Sequence, residues 1–131
     1  ATTEIYTELL HSLQVDCFKI GAELAAPEGT AVNIMLIGPG DVARLETQCR
    51  RLEMAMEPLR GLVLPGGGNR LAAQVDIARA VCRRAERRVV RFLERESTPD
   101  GDISMLQYLN RLSDFLFLLA RTLDSERRYA S

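Results

Sequence analysis

The sequence predicts an all-α fold, a helical bundle of four amphipathic helices. Apolar residues recur every three or four positions in four segments, clusters of glycine and proline separate those segments, and no convincing strand pattern is present. The 131 residues, of which 47% are hydrophobic and 27% charged, are enough for one hydrophobic core. We therefore predict a single helical-bundle domain over residues 1–131.

The first two helices are predicted over residues 3–25 and from residue 41 to near Pro58. The apolar positions of the first are Tyr6, Leu10, Leu13, Cys17, Ile20 and Leu24. Asp41 is the candidate N-cap of the second, whose apolar positions are Val42, Leu45, Cys49, Leu52 and Met56. Residues 32–37, between these helices, could form a short strand or a buried loop.

The third helix is predicted over residues 69–96, with Asn69 as candidate N-cap. Its apolar positions form a heptad seam of Leu71, Val75, Ala78, Cys82, Ala85, Val89 and Phe92.

The fourth helix is predicted over residues 102–128, with a seam of Met105, Leu109, Leu112, Leu116, Leu119 and Leu123. A second stripe at helical spacing contains Leu106, Asn110, Ser113, Phe117 and Ala120. This stripe predicts contact with another subunit or with a helix absent from this chain.

Charge and cysteine content restrict the partners and the location. A net charge of −1 provides no bulk attraction to nucleic acid. No apolar run approaches the ~18 residues of a membrane span, and no targeting segment is recognisable. Cys17, Cys49 and Cys82 all occupy apolar helix positions, which predicts reduced core thiols and a cytoplasmic location.

Arginine is unusually frequent in the third helix. Lys19 is the only lysine among 17 basic residues, and seven arginines lie between residues 79 and 95. The side of this helix that points away from the seam is predicted to be a solvated face. It carries Arg84, Arg88, Arg91 and Arg95.

Arg79 and Arg83, by contrast, lie with Glu86 along the margin of the seam. Their guanidinium groups would be partly buried there, and a partly buried guanidinium needs a nearby anion. The anion could be a local acid, Glu86 or Asp114, or a polyphosphate bound by the guanidinium groups. The glycines at 66–68 could donate backbone amides to the same ligand or only turn the chain. Asn110 could bind a ligand or form an interhelical hydrogen bond.

Residues 79–90, RAVCRRAERRVV, and residues 108–114, YLNRLSD, closely resemble the PduO-type ATP:cob(I)alamin adenosyltransferases. The LPGG sequence at 64–67 and parts of residues 13–25 resemble further segments of that family. The resemblance implies a five-helix bundle that forms a homotrimer with active sites between subunits. The implied reaction is attack of Co(I) of a reduced corrinoid on the ribose 5′ carbon of ATP, giving adenosylcobalamin and triphosphate.

The resemblance also implies roles for individual residues. Arg83, Glu86 and Asn110 would hold ATP with magnesium, Glu86 being a possible Mg²⁺ contact, and Arg79 and Arg87 would support the ATP site through ion pairs. Arg83 would stabilise the departing triphosphate. The residues expected to contact cobalamin are Leu62, Pro65, Gly66 and Asp114.

Three features depart from the family pattern. The family's N-terminal ATP loop, rich in glycine and threonine, and its first helix are not found in this sequence. Leu62 occupies a position where the family usually has a phenylalanine that packs under the corrin, and Asp76 one where it usually has histidine. The first departure leaves an alternative function, a non-catalytic, shortened homologue that acts as a corrinoid- or partner-binding bundle.

Overall fold

The computed structural model describes residues 2–25, 37–96, 103–124 and 126–130. These contain helices α1 (Thr2–Ala25), α2 (Pro39–Ala55), α3 (Arg70–Glu96) and α4 (Ile103–Leu123). The described ranges contain no extended strand, and their β-structure is one isolated antiparallel bridge between Val63 and Tyr129. The predicted all-α helical bundle is confirmed. Among the described helices, none has a stretch with the length and hydropathy of a membrane span.

Helix α4 is the centre of the bundle, because it is buried on several faces. Helices α2 and α3 both pack along it. Its buried side chains are Met105, Tyr108, Leu109, Leu112, Ser113, Phe115, Leu116, Leu118, Leu119, Ala120 and Arg121. The predicted seam of α4 is therefore confirmed. The expectation that its second stripe needs an outside partner is wrong at Ser113 and Ala120, which are already buried within the chain.

Helix α1 is joined to α4 by a buried hydrogen bond. The Tyr108 hydroxyl donates to Asp16 Oδ2 at 2.7 Å, and both side chains are buried. Lys19 Nζ lies 3.8 Å from the other carboxylate oxygen. Burial and the hydrogen bond to Asp16 raise the pKa of Tyr108, so the hydroxyl keeps its proton and remains a donor.

The predicted seams of α1 and α3 are only partly correct. Leu10 and Cys17 are exposed, because they line an open apolar groove between α1, α3 and α4. Leu71, Ala78 and Phe92 are also exposed, whereas α3 buries Ala72, Cys82 and Val89. The exposed positions 71, 78 and 92 share one column of the heptad, whereas the other column, Val75, Cys82 and Val89, is covered, so only one edge of the predicted seam packs in the core.

The helix boundaries confirm one predicted cap and correct another. Asn69 caps α3, because its Oδ1 accepts the Ala72 N–H at 2.8 Å. Asp41 is not the N-cap of α2: Gly38 occupies that position and Pro39 begins the helix. Asp41 lies in the first turn, where its carboxylate accepts the Gly38 N–H at 3.0 Å.

Two of the three predicted core thiols are confirmed. Cys49 and Cys82 are buried, whereas Cys17 is exposed, and all three are free. Desolvation is the main cause that raises the pKa of Cys49 and of Cys82 to about 11. Both thiols are therefore neutral at physiological pH. The undecided segment 32–37 falls outside the described residues except for Ile37, which is buried.

Helix α4 ends at Leu123, five positions before the predicted end at Arg128, because the chain beyond it pairs with another segment. We call residues 61–68 the glycine loop and residues 126–130 the C-terminal segment. The Leu64 N–H donates to the Arg128 carbonyl at 2.7 Å, and the Ala130 N–H donates to the Leu62 carbonyl at 2.8 Å. These bonds flank the Val63–Tyr129 bridge and anchor one side of the glycine loop.

Gly67 is the most constrained residue of the glycine loop. Its φ of +59° is in the left-handed region, which favours glycine. A Cβ built there would overlap Asp124 Oδ1 and would lie 3.0 Å from the Ala72 Cβ. Asp124 cannot move away cheaply, because it is buried and paired with Arg121.

Replacing Tyr108 by Phe should lower the free energy of unfolding by about 1–3 kcal/mol, because the buried Asp16 carboxylate loses a donor. Urea denaturation measures the change. Tyr6→Phe is the matched control, since Tyr6 is only partly buried, and it should stay within about 0.5 kcal/mol of the parent. Equal losses in the two variants would show that the Tyr108 hydrogen bond does not stabilise the bundle.

Replacing Gly67 by Ala should destabilise the protein by at least ~1–2 kcal/mol, the typical cost of a left-handed backbone for a residue with a Cβ. Displacement of Asp124 adds to that cost. Thermal unfolding of Gly40→Ala is the control, because Gly40 lies in α2 and no atom lies within 4 Å of a Cβ built there. The control should be as stable as the parent or slightly more stable. A Gly67→Ala melting temperature equal to that of the parent would contradict the analysis.

Candidate functional site

Two cavities lie next to each other along α3 and α4. The first, here called the Arg79 cavity, has a volume of about 550 Å³ and is bounded by α3, α4 and the end of α2. The second, the Arg83 cavity, has a volume of about 410 Å³ and is lined by α3 and α4. Arg79 and Arg83 are one helical turn apart, and Asn110 and Arg111 are adjacent in the chain. The two cavities therefore occupy successive turns of the same helix pair.

Arg79 is a half-buried cation without a carboxylate partner. Its guanidinium carbon lies 5.1 Å from the centroid of the Phe117 ring. Its Nε is buried and has no hydrogen-bond acceptor, and among the described residues no carboxylate lies within 4 Å of it. A buried guanidinium N–H without an acceptor is costly, so this position favours an incoming anion or carbonyl oxygen.

The walls of the Arg79 cavity combine apolar and acidic side chains. Met56, Pro58, Leu59, Phe117 and Leu118 supply apolar surface, and Cys49 adds a neutral thiol. The acidic side chains at the wall are Glu53, Glu57 and Asp114. Such a lining can accept an apolar group that carries hydrogen-bond donors.

The Arg83 cavity is rich in arginine. Its lining residues are Arg83, Glu86, Arg87, Val90, Arg91, Glu94 and Asn110. The three arginines are exposed, and within the described part of the chain none of them forms an ion pair. Their guanidinium groups are therefore available to a polyanion.

Neighbouring side chains fix the orientation of Asn110. Its Nδ2 donates to Glu86 Oε2 at 3.2 Å, and its Oδ1 accepts from Arg111 Nη2 at 2.7 Å. Arg111 in turn pairs with Asp114 at 3.4 Å. This chain of polar contacts connects the Arg83 cavity to the Arg79 cavity and leaves one amide N–H of Asn110 for a ligand.

The structure brings together most of the residues expected at the ATP site. Arg83, Glu86, Arg87 and Asn110 line one cavity, while Arg79 and Asp114 line its neighbour. The hypothesis that Glu86 or Asp114 neutralises Arg79 or Arg83 is wrong for the conformation described, because Glu86 bonds to Asn110 and Asp114 pairs with Arg111. Arg83 is also exposed, not partly buried as expected. The predicted solvated face is confirmed for Arg84, Arg88 and Arg95, whereas Arg91, although exposed, lines the Arg83 cavity.

The other residues expected to contact cobalamin lie on the glycine loop. Leu62 is 73% exposed, Pro65 is exposed and Gly66 is half-buried. The Gly66 N–H donates to Asp76 Oδ2 at 2.7 Å, which ties the loop to α3.

The sequence analysis did not identify Phe117, whose ring contacts the guanidinium groups of Arg79 and Arg121. Arg121 lies 5.4 Å from the same ring centroid as Arg79, but it is neutralised by Asp76 and Asp124. The i, i+3 spacing of Arg121 and Asp124 was a local signal for that pair. The contact between Asp76 and Arg121, 45 positions apart, had no local signal.

The described residues contain no group of three or more His, Cys, Asp or Glu side chains that could hold a metal ion. The Arg83 cavity has two carboxylates in its lining, Glu86 and Glu94. Mg²⁺ in nucleotide sites commonly takes one or two carboxylates and completes its shell with phosphate oxygens and water. The donor set therefore fits a Mg²⁺ ion that arrives with a triphosphate.

The family model and the similar sequences agree on one protein family. A family model described as cobalamin adenosyltransferase matches residues 1–123. A cobalamin adenosyltransferase from Cupriavidus metallidurans is 41% identical over 121 residues, and a corrinoid adenosyltransferase from Bos taurus is 37% identical over 120 residues. These matches cover 92% and 88% of this chain but only 60% and 48% of the two relatives.

Solved structures give the same result. A variant PduO-type ATP:corrinoid adenosyltransferase from Lactobacillus reuteri, complexed with cobalamin and ATP, superposes with a TM-score of 0.83 at 25% identity. The superposition covers 98% of this chain and 70% of that structure. A second variant from the same organism, complexed with ATP, gives a TM-score of 0.79 at 26% identity, covering 93% of this chain and 66% of that one. With the sequence matches over most of its length, this chain belongs to the cobalamin adenosyltransferase family.

Proposed function

We propose that the protein is a corrinoid adenosyltransferase, which transfers the 5′-deoxyadenosyl group of ATP to Co(I) of a reduced corrinoid and releases triphosphate. The observation that carries the proposal is the half-buried, unpaired guanidinium of Arg79 beside a cavity with three further unpaired arginines. Such an arrangement suits a polyphosphate. Membership of the family, and relatives complexed with cobalamin and ATP, support the choice of reaction.

In this proposal the Arg83 cavity binds ATP. Arg83 and Arg87 face the triphosphate within this cavity, Arg79 supports the site from the neighbouring Arg79 cavity, and Asn110 donates its remaining amide N–H to the nucleotide. Glu86 holds Asn110 in place and would contact a Mg²⁺ ion that arrives with the phosphates. Bound Mg²⁺ would neutralise part of the charge on the phosphate oxygens.

The corrinoid is proposed to contact Asp114 at the Arg79 cavity and Leu62, Pro65 and Gly66 on the glycine loop. The two regions are connected within the fold. Phe117 lines the Arg79 cavity and contacts Arg121, and Arg121 shares Asp76 with the Gly66 N–H. Leu62 supplies an apolar surface for the corrin, without the aromatic ring usual at this position in the family.

The chemistry requires charge stabilisation and alignment more than an activated side chain. As the bond between cobalt and C5′ forms, the bond between C5′ and the triphosphate oxygen breaks, and its electron pair leaves with the triphosphate. The cobalt of the substrate is the nucleophile, so no serine, cysteine or histidine nucleophile is needed. Arginine groups fixed around the leaving group stabilise its growing negative charge.

The proposal includes a homotrimer with the active sites between subunits. The Arg83 cavity supports it, because its described walls come only from α3 and α4 and its arginines are exposed. A neighbouring subunit would complete the site. The cytoplasmic location stays a prediction.

The direct test is to mix the protein with ATP, Mg²⁺ and chemically reduced cobalamin, then follow the adenosylcobalamin spectrum and triphosphate release. Equal amounts of the two products support the proposal. Cobalamin binding with neither product would overturn it and would favour a non-catalytic corrinoid-binding bundle.

Replacing Arg83 by Ala should weaken ATP binding at least ~10-fold, because a charge-assisted contact to the triphosphate is worth about 1.5–3 kcal/mol. The free energy of unfolding should change by less than about 0.5 kcal/mol, because the side chain is exposed. Titration calorimetry and urea denaturation measure the two effects. Arg84→Ala, at the next position on the solvated face, is the matched control and should bind ATP normally. Equal ATP affinity in the two variants would remove Arg83 from the site.

A further inference from the structure

A buried charge cluster lies between the glycine loop and α4. Arg121 Nε lies 2.7 Å from Asp124 Oδ2, and Arg121 Nη2 lies 2.7 Å from Asp76 Oδ2. The side chains of Arg121 and Asp124 are each 1% exposed, and that of Asp76 is 10% exposed. The cluster contains two carboxylates for one guanidinium.

The second carboxylate is not needed to neutralise Arg121. Asp124 already engages the guanidinium through both of its oxygens, at 2.7 and 3.3 Å. Burying a second carboxylate costs solvation energy. Asp76 must therefore contribute something other than charge compensation for Arg121.

What Asp76 adds is a link to the glycine loop. One oxygen, Oδ2, accepts both Arg121 Nη2 and the Gly66 N–H, each at 2.7 Å. A carboxylate oxygen can accept two donors at once, whereas an imidazole nitrogen has one lone pair. Aspartate is thus suited to a bridge that joins the glycine loop to α4 through one atom.

The link fixes the part of the loop that the C-terminal segment does not hold. Main-chain bonds to that segment engage Leu62, Leu64 and Gly67. Asp76 is the side chain that engages Gly66 between them. Leu62 and Leu64 remain 73% and 45% exposed. Exposed leucines gain free energy by collapsing onto other apolar surface, so keeping them available requires a rigid backbone.

We propose that Asp76 is a positioning residue for the corrinoid: through Gly66 and the buried Arg121 it fixes the glycine loop so that Leu62 and Leu64 present an apolar surface to the substrate. This inference rests on the proposed function. It separates Asp76 from the ATP site, so its loss should affect the corrinoid and leave the nucleotide unaffected.

The test compares Asp76→Leu, which removes the acceptor, with Asp76→Asn, whose amide oxygen can still accept both donors. Amide hydrogen exchange of the protein without ligands reports on the loop. Exchange in residues 61–68 should be faster by ~10-fold in Asp76→Leu, the equivalent of one lost hydrogen bond, and near the parent rate in Asp76→Asn. In the adenosylation assay, Asp76→Leu should raise KM for the corrinoid by ~5–10-fold and leave KM for ATP within about 2-fold.

Asp41→Leu is the matched control. Asp41 also accepts a glycine N–H, from Gly38, and also pairs with an arginine, Arg44, but it does so at the start of α2. Its loss should change exchange near residues 37–45 and leave the glycine loop and the KM for the corrinoid unchanged.

Three results would overturn the inference: parent-like exchange of the loop in Asp76→Leu, equal defects in Asp76→Leu and Asp76→Asn, or equal increases in KM for ATP and the corrinoid. If Asp76→Leu does not fold, the smaller Asp76→Ala is compared with Asp76→Asn in the same way. An inactive parent protein would overturn the proposed function, whereas the exchange experiment would still decide whether Asp76 holds the loop.

Discussion

The enclosure of α4 is the constraint on which the rest of the structure depends. A helix that is buried on several faces must find most partners of its polar side chains inside the protein. The buried Ser113 hydroxyl has no hydrogen-bond partner among the described residues. Tyr108 is satisfied by Asp16 on α1, and Asn110 by Glu86 on α3. Arg121 is satisfied by Asp76 and Asp124. These contacts fix the register of α1 and α3 against α4, and so fix which residues of α3 face the two cavities.

Against this background, the two arginines at Phe117 have opposite roles. Arg121 is buried and ion-paired with two carboxylates, so it stabilises the fold. Arg79 contacts the same ring but has a buried Nε without an acceptor. The cost of that unsatisfied group is small beside a bundle's total burial, and the anion of the proposed function would offset it. Arg121 therefore stabilises the fold, whereas Arg79 is the arginine proposed to bind a ligand.

The glycine loop shows how the same core reaches the proposed corrinoid surface. The ion-paired cluster, the bridge to the C-terminal segment and the left-handed backbone of Gly67 all converge on eight residues. Because these restraints come from α3, α4 and the C-terminal segment, the position of Leu62 depends on distant parts of the chain. A substitution at Asp76 or Asp124 can therefore affect the substrate surface without touching it.

The sequence by itself determined the four helices, the cap at Asn69 and the seam of α4, because spacing and capping are local properties. It also indicated that Arg83, Glu86, Arg87 and Asn110 belong together, since their motifs carry the family resemblance. Tertiary structure decided which seams are covered, as the exposed Leu71 and Phe92 show. Tertiary structure also decided that Arg121 is neutralised by Asp76, because a partner 45 positions away leaves no periodic pattern in the sequence. It decided where α4 ends for the same reason, since pairing of residues 126–130 with the glycine loop has no local signal.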